Sequence, residues 1–505
     1  MLNLTTAPMC ALTIYFKYIC YPEITMKKYL IFFFAALTAF PAYSQGFQVS
    51  FKAPGYKSGI AFLTYYMGNN FNIADSAAIG INSTAVFKGV ENLPPGIYAI
   101  FFPGKQLRTE FLIGDEQIIS VTADTADLVN KTIVTGSKEN ILYDQYQKIA
   151  ASKGRQIQQE RQAYMASATK SDSVLHEKKF TALIKELNDY RESIIKNQSK
   201  SMMAALLNAM KEPVYPFKVP VTRQDSLNNY NEYKKHYWDG ISFMDDRIVR
   251  TPFFLKKLER YYREVISPEA DSIIKDVDYK LLLARSAPEM YKFLLNWLTD
   301  EFINPKYMGQ DAVFVHLFEK YHSKGLSKWL NEKQMEAISR RAYMLMANLV
   351  GEKAADLEML NTEDKPTALY SLAADYTVVF FWDPNCGHCK EEAPRLDSIY
   401  RATWKNHNVK IFAVLTPDGK QSVKPEWLTF IKEHNISDWT HVYKTREMDD
   451  ADYAAQRPGY RQLYDISLTP TIYLLDKEKR IIGKKLTLLQ LNDLLEVKWN
   501  GLRSN

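Results

Sequence analysis

The run Tyr376-Thr377-Val378-Val379-Phe380-Phe381-Trp382, followed directly by Asp383-Pro384-Asn385-Cys386-Gly387-His388-Cys389-Lys390, decides how this chain is read. Its first seven residues are all β-branched or aromatic and do not alternate with polar ones, the pattern of a central strand buried on both faces. Asp-Pro-Asn breaks the strand, and the residues beyond Lys390 turn helical, with Leu396 and Ile399 on one side. Two cysteines separated by two residues therefore stand at a strand-to-helix junction. That spacing lets the sulfurs meet in a disulfide while the first stays accessible. The unpaired amides at a helix N-terminus favour a thiolate on Cys386, making it the nucleophile. Cys389, one turn inside, is sheltered and placed to resolve a mixed disulfide by intramolecular attack. A redox-active disulfide between Cys386 and Cys389 is the expectation.

The surrounding pattern alternates strand and helix. Val409–Leu415 predicts the next strand, Pro425 starts a helix through Trp427, Phe430 and Ile431, and Thr469–Leu475 and Ile481–Gly483 predict two more extended segments. A last helix follows Thr487. Cys-x-x-Cys in such a context is the thioredoxin-like redox signature. A zinc site would need about four ligands, and beyond residue 44 no second Cys or Cys/His pair accompanies this one, Cys10 and Cys20 lying ahead of it. A purely structural disulfide closing so short a loop would remove little unfolded-state entropy.

Residues about 350–500 resemble the TlpA/ResA-type thioredoxin-like family of membrane-tethered or periplasmic thiol–disulfide oxidoreductases. Phe381-Trp382 before the motif, Cys386 and Cys389, Glu392 and Pro394 in the helix, and Thr469-Pro470-Thr471 carry the resemblance. It implies a cis proline at Pro470 beside the sulfurs, with Thr469 aligning the substrate chain through its main chain. It also implies that Glu392 tunes the thiols and moves protons, while Lys390 and Glu391 are exposed helix charges. Phe380 occupies the place of the buried acid that thioredoxin carries six residues before its first cysteine, leaving Glu392 as the candidate base. Gly387 and His388 are the pair that protein disulfide isomerase has between its cysteines, and a histidine there can stabilise the Cys386 thiolate. A peroxiredoxin-like peroxidase is the neighbouring alternative, but its threonine three residues before the cysteine is Asp383 here. The alternative from another class is a binding or assembly protein on a non-catalytic thioredoxin-like scaffold.

Further out, the 505 residues suggest about three domains. From Phe47 to about Gly136, short alternating strands separated by Pro94-Pro95-Gly96 and Pro103-Gly104 predict a small antiparallel sandwich. From Lys138 to about Gly351 the period is helical. Ser171 is the expected cap of a helix through Phe180, Leu183, Leu187 and Tyr190, and Thr251-Pro252 is expected to open another. His176, His236, His316 and His322 lack metal-ligand spacing and read as surface or satisfied core residues. Gly136–Asn140, Tyr237–Phe243 and Arg250-Thr251-Pro252 resemble modules of unknown function that precede thioredoxin-like domains in bacterial envelope proteins. The expected division is 1–44, 45–137 (β-rich), 138–349 (helical) and 350–505 (thioredoxin-like), a multi-domain α+β and α/β chain.

Met26-Lys27-Lys28, the apolar run Tyr29–Phe40 and the small residues Ala42 and Ser44 form a secretory leader cleaved after Ser44, with Met26 as the expected start. The run is too short to span a bilayer, and no lipobox cysteine stands at the cleavage point, so a soluble periplasmic protein is expected. Its mature form keeps only Cys386 and Cys389. A net charge of +6, from 64 basic and 58 acidic residues, is too dilute over this length for a nucleic-acid surface. The expected partners are protein thiols and disulfides, with a membrane electron-donor protein and self-association through residues 45–349 as further candidates. No cofactor and no metal are expected.

Overall fold

The computed structural model describes residues 46–213, 219–418 and 423–503. The leader and its cleavage point lie outside them. Among the described residues, no helix is long and apolar enough to cross a membrane.

The N-terminal part holds two four-stranded sheets. One has the order β4 (Thr84–Gly89), β1 (Phe47–Lys52), β7 (Ile118–Thr122), β8 (Ile133–Thr135), and the other β3 (Asn70–Ala78), β2 (Ile60–Met67), β5 (Gly96–Phe101), β6 (Arg108–Ile113). Alternate residues of both sheets (Val49, Phe51 and Phe87 against Leu63, Ile100 and Phe111) fill one shared core, which makes it a sandwich. It is not wholly antiparallel. β1 and β7 pair parallel, Val49 opposite Ile119, because the chain takes up the antiparallel place beside β1 with β4 and then crosses to the other sheet for β5 and β6 before β7 fills the far side of β1. The second sheet is covered on its outer face too, where Ile97 and Leu112 meet Tyr143, Tyr146 and Met203 of the helical region.

That region opens with an antiparallel pair, α1 (Lys138–Ala166) and α2 (Lys170–Asn197). Thr169, not Ser171, caps α2, accepting the Asp172 N–H. α3 (Met202–Ala209), α4 (Arg223–His236), α5 (Phe254–Arg260), α6 (Ala270–Leu283), α7 (Pro288–Phe302), α8 (Asp311–Leu317) and α9 (Glu332–Met346) follow. Thr251 does not cap α5. Its buried hydroxyl donates to the Ile248 carbonyl and closes the preceding turn, and α5 begins at Phe254 without a side-chain cap. α1 and α2 run on well past the sandwich, and between Tyr146 and Leu187 no residue is buried. His176 pairs with Glu160 across that hairpin at 2.6 Å, and His322 is buried between Thr299 and Ser327.

The C-terminal part is a seven-stranded sheet ordered β10 (Pro366–Ala368), β9 (Glu358–Asn361), β13 (Thr440–Tyr443), β12 (Val409–Leu415), β11 (Tyr376–Trp382), β14 (Thr471–Leu475), β15 (Ile481–Lys484). β11 lies parallel to β12 and antiparallel to β14. Val378, Phe380 and Trp382 face the core that holds α10 (Gly387–Ala402), α11 (Lys424–Glu433) and α13 (Leu488–Arg503). Val379 and Phe381 face a second core with Tyr464 and Tyr473. The opposite-face burial is what an unbroken apolar strand demands. Between β13 and β14 lies α12 (Arg446–Ala454).

The helical region is bolted to this sheet through buried charges. Lys484 of β15 pairs with the Asp311 carboxylate and donates to both the carbonyl (2.9 Å) and the side-chain oxygen (2.8 Å) of Asn348. Arg341 of α9 and Lys485 share Asp465, each at 2.6 Å. Asp465 opens the segment that leads to Pro470.

Candidate functional site

β11 delivers the chain to the carboxyl edge of the sheet, where Asp383 and Pro384 turn it and Cys386 becomes the N-cap of α10. Both cysteines are free thiols. Cys386 is partly exposed and Cys389 is fully buried among Trp382, Ala393 and Leu396. The segment before β14 closes the site from the other side. The Thr469–Pro470 bond is cis, and the Cys386 sulfur donates to the Thr469 carbonyl at 3.3 Å.

The two thiols are held in different electrostatic states. Burial works to raise Cys386, but the Cys389 main-chain N–H, the Thr469 side chain, the Cys389 thiol and the His388 main-chain N–H outweigh it, leaving this thiol below its ordinary value. Those main-chain donors are the unpaired amides of the helix N-terminus. Burial pushes the Cys389 thiol up to about 12, relieved only in part by the Asp383 N–H, and the adjacent Cys386 sulfur adds to the rise.

The other expected site residues fall into place unevenly. Trp382 is wholly buried, stacked on Phe380 at 6.1 Å between ring centroids and tilted against Phe430; it packs beneath the site rather than facing it. Phe380, where thioredoxin has an acid, is likewise wholly buried. Gly387 starts α10 with open space on its side-chain face, so nothing crowds the approach there. His388 is exposed, and its main-chain N–H is one of the donors that lower the Cys386 thiol. The Glu392 carboxylate bonds Arg395 at 3.2 Å, not a sulfur. It faces a groove between α10 and the first residues of α13, Leu488 and Leu489. No group of three or more metal-ligating side chains occurs among the described residues.

Sequence reasoning missed Asp383. It is 5 % exposed, and its N–H reaches the Cys389 sulfur at 3.5 Å. Its Oδ1 accepts the Asn385 N–H at 2.8 Å. An Asp ahead of Pro-Asn is a turn opener that bonds its own backbone two residues on, so the signal was present in Asp383-Pro384-Asn385.

A protein-family model described as the AhpC/TSA family matches residues 350–483. Residues 350–483 belong to that family. Within this AhpC/TSA domain lie the sheet from β9 to β15, both cysteines and Pro470. A second model, a domain of unknown function (DUF4369), matches residues 47–143, the sandwich and the start of α1. No curated protein matches the chain. Among solved structures, the chain is similar to a domain of a possible thiol-disulfide isomerase from Cytophaga hutchinsonii, with 31 % identity over 31 % of this chain and 97 % of that one, TM-score 0.26. It is similar to a thiol:disulfide interchange protein from Bacteroides sp., with 26 % identity over 30 % of this chain and 90 % of that one, TM-score 0.25. A thioredoxin-like protein from Bacteroides caccae shares 20 % identity over 56 % of this chain and 99 % of that one, TM-score 0.41.

Proposed function

We propose that the protein is an extracytoplasmic thiol–disulfide oxidoreductase that exchanges disulfides with other polypeptides through Cys386 and Cys389. The observation that carries this reading is the split between the two sulfurs: one accessible and lowered at a helix N-terminus, the other buried and raised. Cys386 attacks a substrate disulfide as the thiolate; Cys389 then attacks the Cys386 sulfur and releases the substrate thiol. The open face at Gly387 and the main chain at Thr469 are where the substrate segment lies. The AhpC/TSA match over residues 350–483 supports redox work by this dithiol, and the secretory leader read from the sequence supports the periplasm as its compartment, with a membrane protein as the electron source.

A thiol count on the purified protein tests the first half of this. One stoichiometric disulfide oxidant should remove both thiols together, and dithiothreitol should restore them. A protein whose cysteines stay inert to both would be a scaffold rather than an oxidoreductase.

A further inference from the structure

Residue 383 has every polar group engaged, three in the dithiol turn and one in the loop after β12. Besides the two bonds described above, its carboxylate Oδ2 accepts the Asp418 N–H at 2.9 Å, and its carbonyl accepts the Cys386 N–H at 3.1 Å. The peptide unit that carries the Asp383 N–H is itself held at its other end, since the Trp382 carbonyl accepts the Thr416 N–H at 2.7 Å. The loop 416–418 after β12 thus grips this peptide twice, once through the carbonyl and once through the carboxylate. A hydrogen bond accepted by the carbonyl polarises the N–H of the same unit, and that N–H points at the Cys389 sulfur.

The half-reaction that needs this donor is the second one. In the first, the Cys386 thiolate attacks R–S–S–R′, forming the mixed disulfide with R–S and expelling R′–S⁻. In the second, Cys389 gives its proton to solvent and its sulfur attacks Cys386, forming the intramolecular disulfide and expelling R–S⁻. Negative charge must develop on a sulfur that is fully buried. A hydrogen bond to that sulfur grows as the charge grows, so a fixed donor favours the reacting state over the resting thiol.

We propose that Asp383 is a positioning residue for the resolving step: its carboxylate ties the Asn385 and Asp418 amides together and so holds its own main-chain N–H on the Cys389 sulfur. It does not act as a proton relay, because its carboxylate bonds go to main-chain donors and to neither sulfur. This role rests on the reading of Cys386 as attacker and Cys389 as resolver.

The test uses the full chain, reduced, mixed rapidly with one equivalent of 5,5′-dithiobis(2-nitrobenzoate) over the pH range in which it stays folded. The first burst of coloured thiolate reports attack by Cys386, and the second reports resolution by Cys389. Losing a hydrogen bond to a charged group is worth about tenfold or more in rate. Asp383→Ala should therefore slow the second burst about tenfold and move its pH profile upward, with the first burst changed much less. Asp383→Asn keeps an acceptor for the Asn385 amide and should recover part of the loss; it also carries the test if the alanine variant does not fold. Equal slowing of both bursts would overturn the proposal, since the turn would merely be disordered. An unchanged second burst would overturn it too, and so would an asparagine variant no better than alanine, which is the result a proton relay gives. A wild-type protein that releases no second thiolate would instead overturn the thiol-exchange reading, and this role with it.

Discussion

At the scale of single residues, the site is an asymmetry between two identical side chains, and substitutions should expose it. Cys389→Ser should accumulate mixed disulfides with protein partners, because Cys386 can still attack while nothing resolves the product; Cys386→Ser should accumulate none. Equal trapping by the two variants would mean that the roles are wrongly divided. The lowered Cys386 thiol also sets a pH dependence. Its thiolate persists below the usual thiol range, so alkylation of Cys386 should stay fast at neutral pH and fall only as pH drops through the lowered value, while Cys389 in the same protein should remain unlabelled. Stabilising one thiolate stabilises the reduced form, so the couple should lie above thioredoxin's roughly −270 mV on equilibration with glutathione. The main-chain N–H of Cys389, the Thr469 side chain, the Cys389 thiol and the main-chain N–H of His388 all contribute to that stabilisation, and none of them is removed by His388→Ala, which should leave most of it in place; a large downward shift in that variant would give the role to the ring.

Elements explain which parts of this were legible in the sequence. β11 was readable because a run from Val378 to Trp382 with no polar residue is satisfied only by burial on both faces, and its two cores are what the structure shows. Phe381, wholly buried against Tyr464 at 5.0 Å between centroids, should cost about 3–5 kcal/mol on truncation to alanine, read from the urea midpoint. Ile133, on an edge strand and 61 % exposed, should change stability by about 0.5 kcal/mol or less. The start of α7 at Pro288 has a local cause, since proline is tolerated in the first turn where its missing N–H costs nothing. The parallel β1–β7 pair was not legible, since strand direction depends on where the chain returns and leaves no local signature. The misplaced starts at Ser171 and Thr251 have one cause: a hydroxyl bonds any nearby main-chain group, and Thr251 spends its bond on the turn behind it. The site was half legible. Cys386, Cys389 and the Thr469-Pro470 pair are brought together, whereas Glu392 turns to Arg395. The buried acid beside the sulfurs is Asp383, whose turn-opening bond is signalled by Asp383-Pro384-Asn385 but whose second bond, to Asp418, depends on the loop after β12.

At the scale of the whole molecule, two buried histidines tie stability to acidity. Burial lowers His322 and His441 each to about 4 from 6.5, so the folded chain keeps them neutral while the unfolded chain protonates them. Their contribution is complete above about pH 6.5 and is lost progressively as pH falls toward 4, up to about 3 kcal/mol each. The urea midpoint should fall between about pH 7 and about pH 5, and should fall less in His322→Gln and His441→Gln; a flat midpoint would sink the assignment. The seam between α9 and the AhpC/TSA domain bears on how independent that domain is. Removing residues 45–345 takes Asp311 from Lys484 and Arg341 from Asp465. Exchange with a small disulfide should survive this, while selection among protein targets should weaken, because the segment leading to Pro470 loses its brace. An isolated domain with unchanged preference would show that the brace has no such part. The α1–α2 hairpin has no comparable anchorage. The buried anchors lie at one end of each helix, Tyr143 and Tyr146 on α1 and Leu187 and Ile194 on α2, and between Tyr146 and Leu187 no residue is buried. A protease should therefore cut first between residues 147 and 186. Both pieces would remain pinned in the same cores, so a nicked protein should elute as one particle, with its covalent continuity broken and its redox site untouched.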